Sequence, residues 1–331
     1  MITSRLVSIV FAVGCVDAHV VADANVSADT HVAADVADAP QSTRLRIRNG
    51  CSQPMWIFYQ NGAQGGTMPA PHQILLATNA SYDYPIPDQG IAGTRFWPGY
   101  GCDATGNNCS IGQSGGPADQ GFVCPAQGCA PPIDSKFEGT FGCLPTVAPG
   151  DCLVNPSDPM RRPLPARDGW DTSMVDGFTL PYRVLVRGNC GRGPLNNIID
   201  CSRLPLSVCP TAENISTAGR FPTLSSVNLR LLSADAGAAI EGCYSDCSRL
   251  TKPQRGGMDF SPSDPQALMY CCPTPPITSP QCSLGPVAAT GYTRLIHQYC
   301  PQVYAYAYDD GTGNWTCDAG TQYEVTFYCP Q

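Results

Sequence analysis

The sequence predicts a mainly β protein that is stapled by disulfide bonds. Gly (33) and Pro (32) together approach a fifth of the 331 residues, which is typical of a chain with many turns and short strands. Charged residues make up only 14% of the chain. The 19 cysteines are far too many for a reduced cytosolic protein. We therefore expect an oxidising compartment and an all-β architecture.

Residues 1–14 are predicted to be a signal peptide of the lipoprotein type. Arg5 is a short basic region, and the apolar run from Leu6 to Gly14 is too short to span a bilayer. Cleavage before Cys15 would expose that cysteine for lipidation, and an ordinary secretory signal cut nearby is the alternative. Setting Cys15 aside leaves 18 of the 19 cysteines, an even number that can close nine bridges. The protein is thus expected to be exported, as a cell-surface lipoprotein or in secreted form.

Residues 15–43 are predicted to be a disordered linker, because they are rich in Ala, Val and Asp and contain no Lys or Arg. Residues 1–43 carry Arg5 against five aspartates, a net charge of -4, so half of the formal -8 lies outside the domain at 44–331. The remaining mild acidity argues against a nucleic-acid partner. The aspartates of this segment are Asp17, Asp23, Asp29, Asp35 and Asp38.

Alternating apolar and polar residues predict the strands of a sandwich. An antiparallel pair joined by a turn at Asn49-Gly50 is expected to contain Leu45 and Ile47 on one strand and Trp56 and Phe58 on the other. Helical spacing predicts two helices, one of which places Cys243 and Cys247 on a single face. The further strands are predicted at Thr94–Phe96, Phe178–Val186, Val227–Leu232 and Tyr323–Tyr328, and the helices at Glu241–Leu250 and Thr290–Tyr299.

Several segments, taken in order, resemble the thaumatin-like (osmotin, pathogenesis-related 5 type) family over residues 44–331. The segment from Cys129 to Phe141 resembles a microbial branch of that family. The matching segments are Arg46–Cys51, Thr94–Trp97 with Gly101-Cys102, Pro131-Pro132 with Phe137-Glu138, Asp171–Phe178, Cys209-Pro210, Tyr270–Cys272, Cys300-Pro301, Tyr304–Asp310 and Val325–Pro330.

The resemblance implies a β-sandwich core with two small disulfide-rich lobes and few short helices. Ser114 stands where the family usually has a cysteine, so the corresponding bridge is expected to move to Cys124–Cys129. Cys143 and Cys152 lie in an insertion and would bond each other as the leftover pair. The remaining bridges implied by position are Cys51–Cys329, Cys102–Cys109, Cys190–Cys317, Cys201–Cys300, Cys209–Cys243, Cys247–Cys271 and Cys272–Cys282.

The family's acidic cleft, carried over residue by residue, falls on five positions: Arg95, Glu138, Asp171, Asp176 and Asp309. Crowded carboxylates retain a proton at raised pKa, which suits a general acid beside an ionised partner. We expect Glu138 to be the proton donor and Asp176 or Asp171 the ionised partner. Each aspartate could instead stabilise a turn, and Arg95 a structural ion pair. Asp171 and Asp176 can share a cleft only if a turn or bulge separates them, because five residues is an odd spacing along a strand.

The expected ligand is β-1,3-glucan or another polysaccharide, with an antifungal or cell-wall-directed role. Weak endo-β-1,3-glucanase activity and a non-catalytic carbohydrate-binding or protein-inhibitory module both remain open. Trp97, Trp170 and Tyr182 could stack on sugar rings or belong to the core. The sequence predicts no cofactor and no metal, because its four histidines fall into no zinc-ligand spacing. A monomer is expected, with membrane contact only through the N-terminal lipid anchor.

Overall fold

The computed structural model describes most of the chain from Thr43 onward. The predicted signal peptide, Cys15, most of the linker and the expected Cys124–Cys129 bridge lie outside the described residues. The ranges described are 32–33, 43–62, 64–112, 133, 135–233, 239–253 and 256–330.

The described part of the chain contains sixteen strands and five short α-helices, besides turns and short 3-10 helices. The strands are β1 (Val32–Ala33), β2 (Leu45–Asn49), β3 (Met55–Gln60), β4 (Gln73–Leu76), β5 (Ser81–Tyr84), β6 (Ile91–Gly99), β7 (Lys136–Phe141), β8 (Arg167–Ser173), β9 (Gly177–Phe178), β10 (Tyr182–Arg187), β11 (Cys190–Arg192), β12 (Ile198–Asp200), β13 (Arg230–Leu232), β14 (Ile240–Tyr244), β15 (Trp315–Asp318) and β16 (Gln322–Phe327). The helices are α1 (Asp246–Thr251), α2 (Leu268–Cys271), α3 (Ser279–Ser283), α4 (Gly291–Tyr299) and α5 (Asp310–Gly313).

Two sheets form a β-sandwich. The larger has eight strands in the order β1-β4-β3-β6-β7-β8-β15-β11, and the smaller has five in the order β12-β10-β16-β2-β5. Most pairs are antiparallel, but β16 runs parallel to β2. A third sheet, β13-β14-β9, joins the sandwich to a region rich in helices. The predicted mainly β class, with few short helices, is confirmed.

The core lies between the inner faces of the two large sheets. Along β7 the apolar Phe137 and Phe141 are buried and alternate with the half-buried Glu138, which is the period of two that a strand with one solvent-facing side requires. The Phe137 ring lies 5.7 Å from that of Tyr323 in the opposite sheet. Contacts of this kind fix which face of β7 points inward, and so which face carries the polar residues.

The predicted strand pair around Asn49-Gly50 is wrong in its pairing. Both strands exist, but β2 pairs with β16 and β5 in the smaller sheet, whereas β3 pairs with β4 and β6 in the larger one. The buried Asn49 amide donates to the carbonyl of Gln53 (2.8 Å) and to that of Leu76 (3.1 Å). The chain therefore crosses between sheets at Asn49 and does not fold back as a hairpin.

The two predicted helices have different outcomes. The helix expected at Thr290–Tyr299 is confirmed as α4, whose N-cap is Thr290. The helix expected at Glu241–Leu250 is wrong in its first half. Residues up to Tyr244 form β14, because Cys243 pairs with Phe178 of β9, and α1 begins only after the Ser245 N-cap. Tertiary pairing overrides the local helical spacing here.

Eight of the nine bridges implied by the resemblance form in the described residues. Four of them lie in what we call the helical lobe, the part of the chain between Cys201 and Cys300, which contains α1 to α4. The pairs are Cys51–Cys329, Cys102–Cys109, Cys143–Cys152, Cys190–Cys317, Cys201–Cys300, Cys209–Cys243, Cys247–Cys271 and Cys272–Cys282. No helix in the described ranges is long and apolar enough to cross a membrane.

A buried polar network closes one end of the sandwich. Arg44 Nη2 donates to Asp168 Oδ1 at 2.7 Å, and the two residues are 5% and 1% exposed. The same carboxylate accepts the backbone N–H of Gly142 (2.8 Å) and the hydroxyl of Tyr323 (3.1 Å). Buried charges are stable in a fold only when they are paired and hydrogen-bonded in this way, so the network ties the start of β2 to β8.

Candidate charged cleft

Three of the predicted cleft residues stand in one row across neighbouring strands. Arg95 on β6 is directly opposite Glu138 on β7, and Glu138 is directly opposite Asp171 on β8. Residues that face each other across a sheet share one side of it, with Cβ atoms about 5 Å apart. Their chain neighbours Phe96 and Trp170 are buried on the other side. The row therefore lies on the outer face of the larger sheet.

Arg95 is the positive centre of this row. Its Nε lies 2.8 Å from Glu138 Oε1, and the two side chains are 32% and 20% exposed. The pKa of Arg95 is raised, first by the charge of Glu138 against the opposing effect of burial, and then by Asp176 and Asp171. Since all three carboxyl groups act on one guanidinium, the structure brings four of the five predicted cleft residues together.

Asp171 is the more enclosed end of the row. Its Oδ1 is enclosed and has no hydrogen-bond partner in the part of the chain that the structure describes. Burial raises the pKa of Asp171 well above its ordinary value, and the charge of Glu138 raises it further, although Lys136 and Arg95 oppose them. Its surroundings therefore favour the protonated form of Asp171 over the ionised one.

Asp176 meets the requirement that a turn must separate it from Asp171. Strand β8 ends at Ser173, and the chain bends so that Gly177 N–H donates to Met174 O at 3.1 Å. Gly177 has φ +136°, and a Cβ there would lie 2.3 Å from the carbonyl oxygen of Cys243. Only glycine fits this position without strain. The bend returns the Asp176 side chain to the face that carries the row.

Two lysines surround Asp176. Lys136 Nζ lies 2.5 Å from Asp176 Oδ2, and Lys252 Nζ lies 3.7 Å from Asp176 Oδ1. Burial by itself would raise the pKa of Asp176, but the positive charges of Lys136 and Lys252 hold it well below its ordinary value. The pKa values of Asp176 and Asp171 are therefore shifted in opposite directions, and the ionised form of Asp176 is favoured.

Asp309 is held by its own loop. It is 5% exposed; its Oδ2 accepts from Ala305 N–H (3.0 Å) and contacts His297 Nε2 (2.7 Å), and its Oδ1 accepts from the Thr312 hydroxyl (2.9 Å). Both oxygens are thus used inside the protein. The neighbouring Asp310 accepts from the Tyr304 hydroxyl and, unlike Asp309, is among the charges that raise the pKa of Asp171.

The sequence interpretation missed Asp310, Lys136 and Lys252. The pair Asp309-Asp310 offered two acids for one place in the cleft, and the resemblance pointed to Asp309, whereas the charge that acts on Asp171 is that of Asp310. The lysines had a signal that was not used: the chain contains only two lysines, and both meet at Asp176. With Arg95 the two lysines bring three cations to this cluster, so the cleft is nearly balanced in charge and not simply acidic. The carboxyl groups counted here are those of Glu138, Asp171, Asp176 and Asp310.

The three aromatic residues that were considered for sugar stacking belong to the core. Trp97, Trp170 and Tyr182 are 0%, 2% and 1% exposed. Trp97 packs in a small cluster with Trp56 and Phe58, and its Nε1 donates to Gly112 O at 3.0 Å. The interpretation of these three residues as part of the core is therefore correct, and the interpretation that they stack on sugar rings is wrong.

The fold and the cleft define a disulfide-stapled β-sandwich with a helical lobe beside a cluster of paired charges. Residues 162–330, slightly more than half of the chain, match the model of the Thaumatin family. The chain belongs to the thaumatin family, as the sequence motifs predicted. Its many disulfides fit an extracellular protein.

Individual relatives are plant proteins. The chain is 29% identical over 262 residues to a glucan endo-1,3-beta-glucosidase of Prunus avium, covering 77% of this chain and 78% of that protein. It is 27% identical over 297 residues to thaumatin-like protein 2 of Prunus persica, covering 86% and 90%. The expected microbial branch is therefore not borne out. A laminaripentaose-producing beta-1,3-glucanase in complex with laminaritetraose aligns over 86% of this chain and 98% of that chain at 12% identity, with a TM-score of 0.40, which is too low to support an argument.

Proposed function

We propose that the protein binds β-1,3-glucan in the charged cleft and cleaves it slowly. The observation that carries this proposal is the row Arg95, Glu138 and Asp171, in which one carboxyl group is ion-paired and its neighbour has an enclosed oxygen without a hydrogen-bond partner in the described residues. Glycoside cleavage requires such a pair, one group to donate a proton and one to remain ionised. The name of the Prunus avium relative gives the glycan to be tested.

The geometry favours an exchange of the two roles expected from the sequence. Glu138 was expected to be the proton donor, but its carboxylate forms an ion pair with Arg95. Asp171 has an enclosed, unpartnered Oδ1 within the described residues and a raised pKa. We therefore assign Asp171 as the general acid and Glu138 as the ionised partner. Asp176, ion-paired to Lys136, binds and orients the ligand in this scheme.

We expect hydrolysis with retention of configuration. Retaining glycosidases place their two carboxyl groups about 5–5.5 Å apart, closer than the about 6.5–9.5 Å of inverting enzymes, and side chains directly opposite on adjacent strands are the nearest neighbours that a sheet provides. Glu138 and Asp171 are directly opposite. NMR of the anomeric proton of the first-formed product tests this, and an inverted anomer would contradict the proposed pairing.

The experiment that tests the function measures both binding and new reducing ends on soluble β-1,3-glucan. Asp171→Asn should abolish hydrolysis with little loss of binding, because the amide keeps the shape of the acid but cannot donate a proton. Glu138→Gln should also abolish hydrolysis. The matched control is Glu324→Gln, which lies on the smaller sheet and should leave both measurements unchanged. Hydrolysis that survives Asp171→Asn would contradict the assigned acid.

A non-catalytic binding module is the second candidate. Glu138 and Asp176 are already ion-paired in the described structure, and an almost neutral cleft lined by paired polar groups suits a polyhydroxylated ligand without any turnover. A wild-type protein that sediments with insoluble glucan but yields no reducing ends would favour this candidate. A protein that does neither would point to a protein partner, as the inhibitory alternative requires.

We further propose that the protein is exported and carries a lipid on Cys15, which lies outside the described residues. The basic Arg5, the short apolar run and the even number of remaining cysteines support this. Labelled fatty acid should enter the wild-type protein in cells but not Cys15→Ala. A soluble mature chain with an unmodified Cys15 would be consistent with secretion and would contradict the proposed lipid anchor.

A further inference from the structure

Both lysines of the chain reach the same carboxylate from different parts of the fold. Lys136 belongs to β7 of the sandwich and is 2% exposed, and Lys252 follows α1 in the helical lobe and is 13% exposed. Each contacts a different oxygen of Asp176. The other 17 basic residues are arginines, so this cluster differs in chemistry from every other charged surface of the protein.

Helix α1 contacts Asp176 at both of its ends. At the start, the N–H of the N-cap Ser245 donates to the Asp176 carbonyl oxygen at 3.4 Å. At the other end, the C-cap Lys252 sends its ammonium group to the Asp176 side chain. The helix itself is fixed to α2 by the bridge Cys247–Cys271. The backbone of Lys252 is thus held in place relative to Asp176.

We propose that Lys252 is a positioning residue, which clamps the Asp176 carboxylate together with Lys136 and so ties the helical lobe to the cleft. This proposal rests on the proposed function only for the ligand that binds in the cleft. The clamp fixes the orientation of both Asp176 oxygens and keeps the group ionised. Asp176 then presents a fixed acceptor to a ligand hydroxyl while Glu138 and Asp171 act on the bond.

The cations and the tyrosine around Asp176 are consistent with this role, and the acids Glu138 and Asp171 act on the same Arg95. Lys136, Lys252 and Arg95 are positive and stabilise its charge. The Tyr292 hydroxyl, from α4, donates to Met174 O at 2.5 Å, and the charge of Asp176 contributes to its raised pKa, which is due mainly to burial. Burial lowers the pKa of Lys252, and the negative charge of Asp176 opposes this shift.

The clamp can be tested without any ligand, because a chain with two lysines gives two lysine side-chain signals by NMR after labelling with ¹³C- or ¹⁵N-lysine. Lys252→Arg assigns the signals. In Asp176→Asn, the Lys252 signal should titrate at lower pH than in the wild type, since the stabilising carboxylate is gone. Asp259→Asn, an exposed change in the same lobe, is the control. An unchanged Lys252 titration in Asp176→Asn would overturn the clamp.

The second measurement is the pH dependence of glucan binding. Loss of the Lys252 charge in Lys252→Met should raise the pKa of Asp176 toward about 4, so that the group is partly protonated and binds more weakly at about pH 4. The ratio of the affinity at about pH 7 to that at about pH 4 should therefore rise by about three- to tenfold. Lys252→Arg should restore the wild-type profile, and the exposed Arg294→Gln should not alter it. An equal loss of affinity at both pH values, or no loss, would overturn the positioning role.

The two tests separate this inference from the proposed function. If the wild type does not bind glucan at any pH, the proposed ligand fails, and the lysine titration still decides whether the clamp exists. If glucan binds but the Lys252 signal ignores Asp176, the clamp fails and the glucan assignment stands.

Discussion

The sandwich and the helical lobe are stabilised by different means. In the sandwich, long strands share an aromatic core and a buried network around Arg44 and Asp168. In the lobe, α1, α2 and α3 have six, four and five residues, lengths at which a helix is not stable by itself. Four bridges therefore replace part of the packing there. The cleft therefore lies between a sheet surface and a lobe of short helices that four bridges link.

The largest expected effect concerns the sandwich. Arg44→Met removes one partner of a buried ion pair and leaves the Asp168 carboxylate uncompensated, so the free energy of unfolding should fall by about 3–5 kcal/mol. Arg46→Met is the matched control, because the Arg46–Asp83 pair is 41% and 42% exposed and should contribute less than about 1 kcal/mol. Denaturant unfolding with the disulfides intact measures both. Equal losses would mean that burial does not distinguish the two pairs.

A smaller and more local effect is expected in the lobe. Removal of the Cys247–Cys271 bridge by changing both residues to Ala should reduce stability by about 2–4 kcal/mol. Hydrogen exchange should show the loss of protection in α1 and α2 while β6 to β8 keep theirs. The same change at Cys143 and Cys152, a bridge outside the lobe, is the control and should leave the lobe protected. Loss of protection throughout the sandwich would end the distinction between the two regions.

The most gradual effect is a pH dependence that belongs to the lobe. Asp246, at the start of α1, is only 1% exposed. Burial, with the nearby charge of Glu213, raises its pKa to about 8. Between its ordinary value near 3.8 and about 8, the folded state binds the proton and the unfolded state does not, so stability should fall as pH rises through this window.

The expected slope from this single proton is at most about 1.4 kcal/mol per pH unit. Thermal or denaturant unfolding at several pH values should show a flatter profile in Asp246→Asn, which cannot ionise. Asp259→Asn, an exposed change in the same lobe, should keep the wild-type slope. If Asp246→Asn keeps it as well, another group is responsible for the pH dependence.

The sequence predicted the sandwich class, several strands and the cysteine partners, because these depend on period-two patterns and on motifs in a fixed order. It did not predict which strands are neighbours. The row of Arg95, Glu138 and Asp171 depends on long-range register, which the spacing of residues along the chain does not encode. The bend before Gly177 was recognised as a requirement, but only the contact with Cys243 explains why it forms.

The sequence predicted which residues belong to the cleft better than it predicted the role of each charged group. Glu138 and Asp171 are both acids in the sequence, and only burial and the position of Arg95 distinguish their surroundings in the structure. The same holds for Asp309 and Asp310, which are adjacent in sequence and have different surroundings. Trp170, which is next to Asp171 in the sequence, lies on the opposite side of the sheet, as strand alternation requires.

The cross-strand row also limits how relatives of this protein can change length. Insertion of one residue into β7 would turn Glu138 toward the core and Phe137 or Gly139 toward the cleft, because side chains alternate with a period of two. Selection should therefore remove single-residue insertions from β6, β7 and β8. The segment that follows β7, which the Cys143–Cys152 bridge closes on itself, can lengthen or shorten without disturbing the row. Variation among descendants should accumulate in such loops while the three strands keep a constant length.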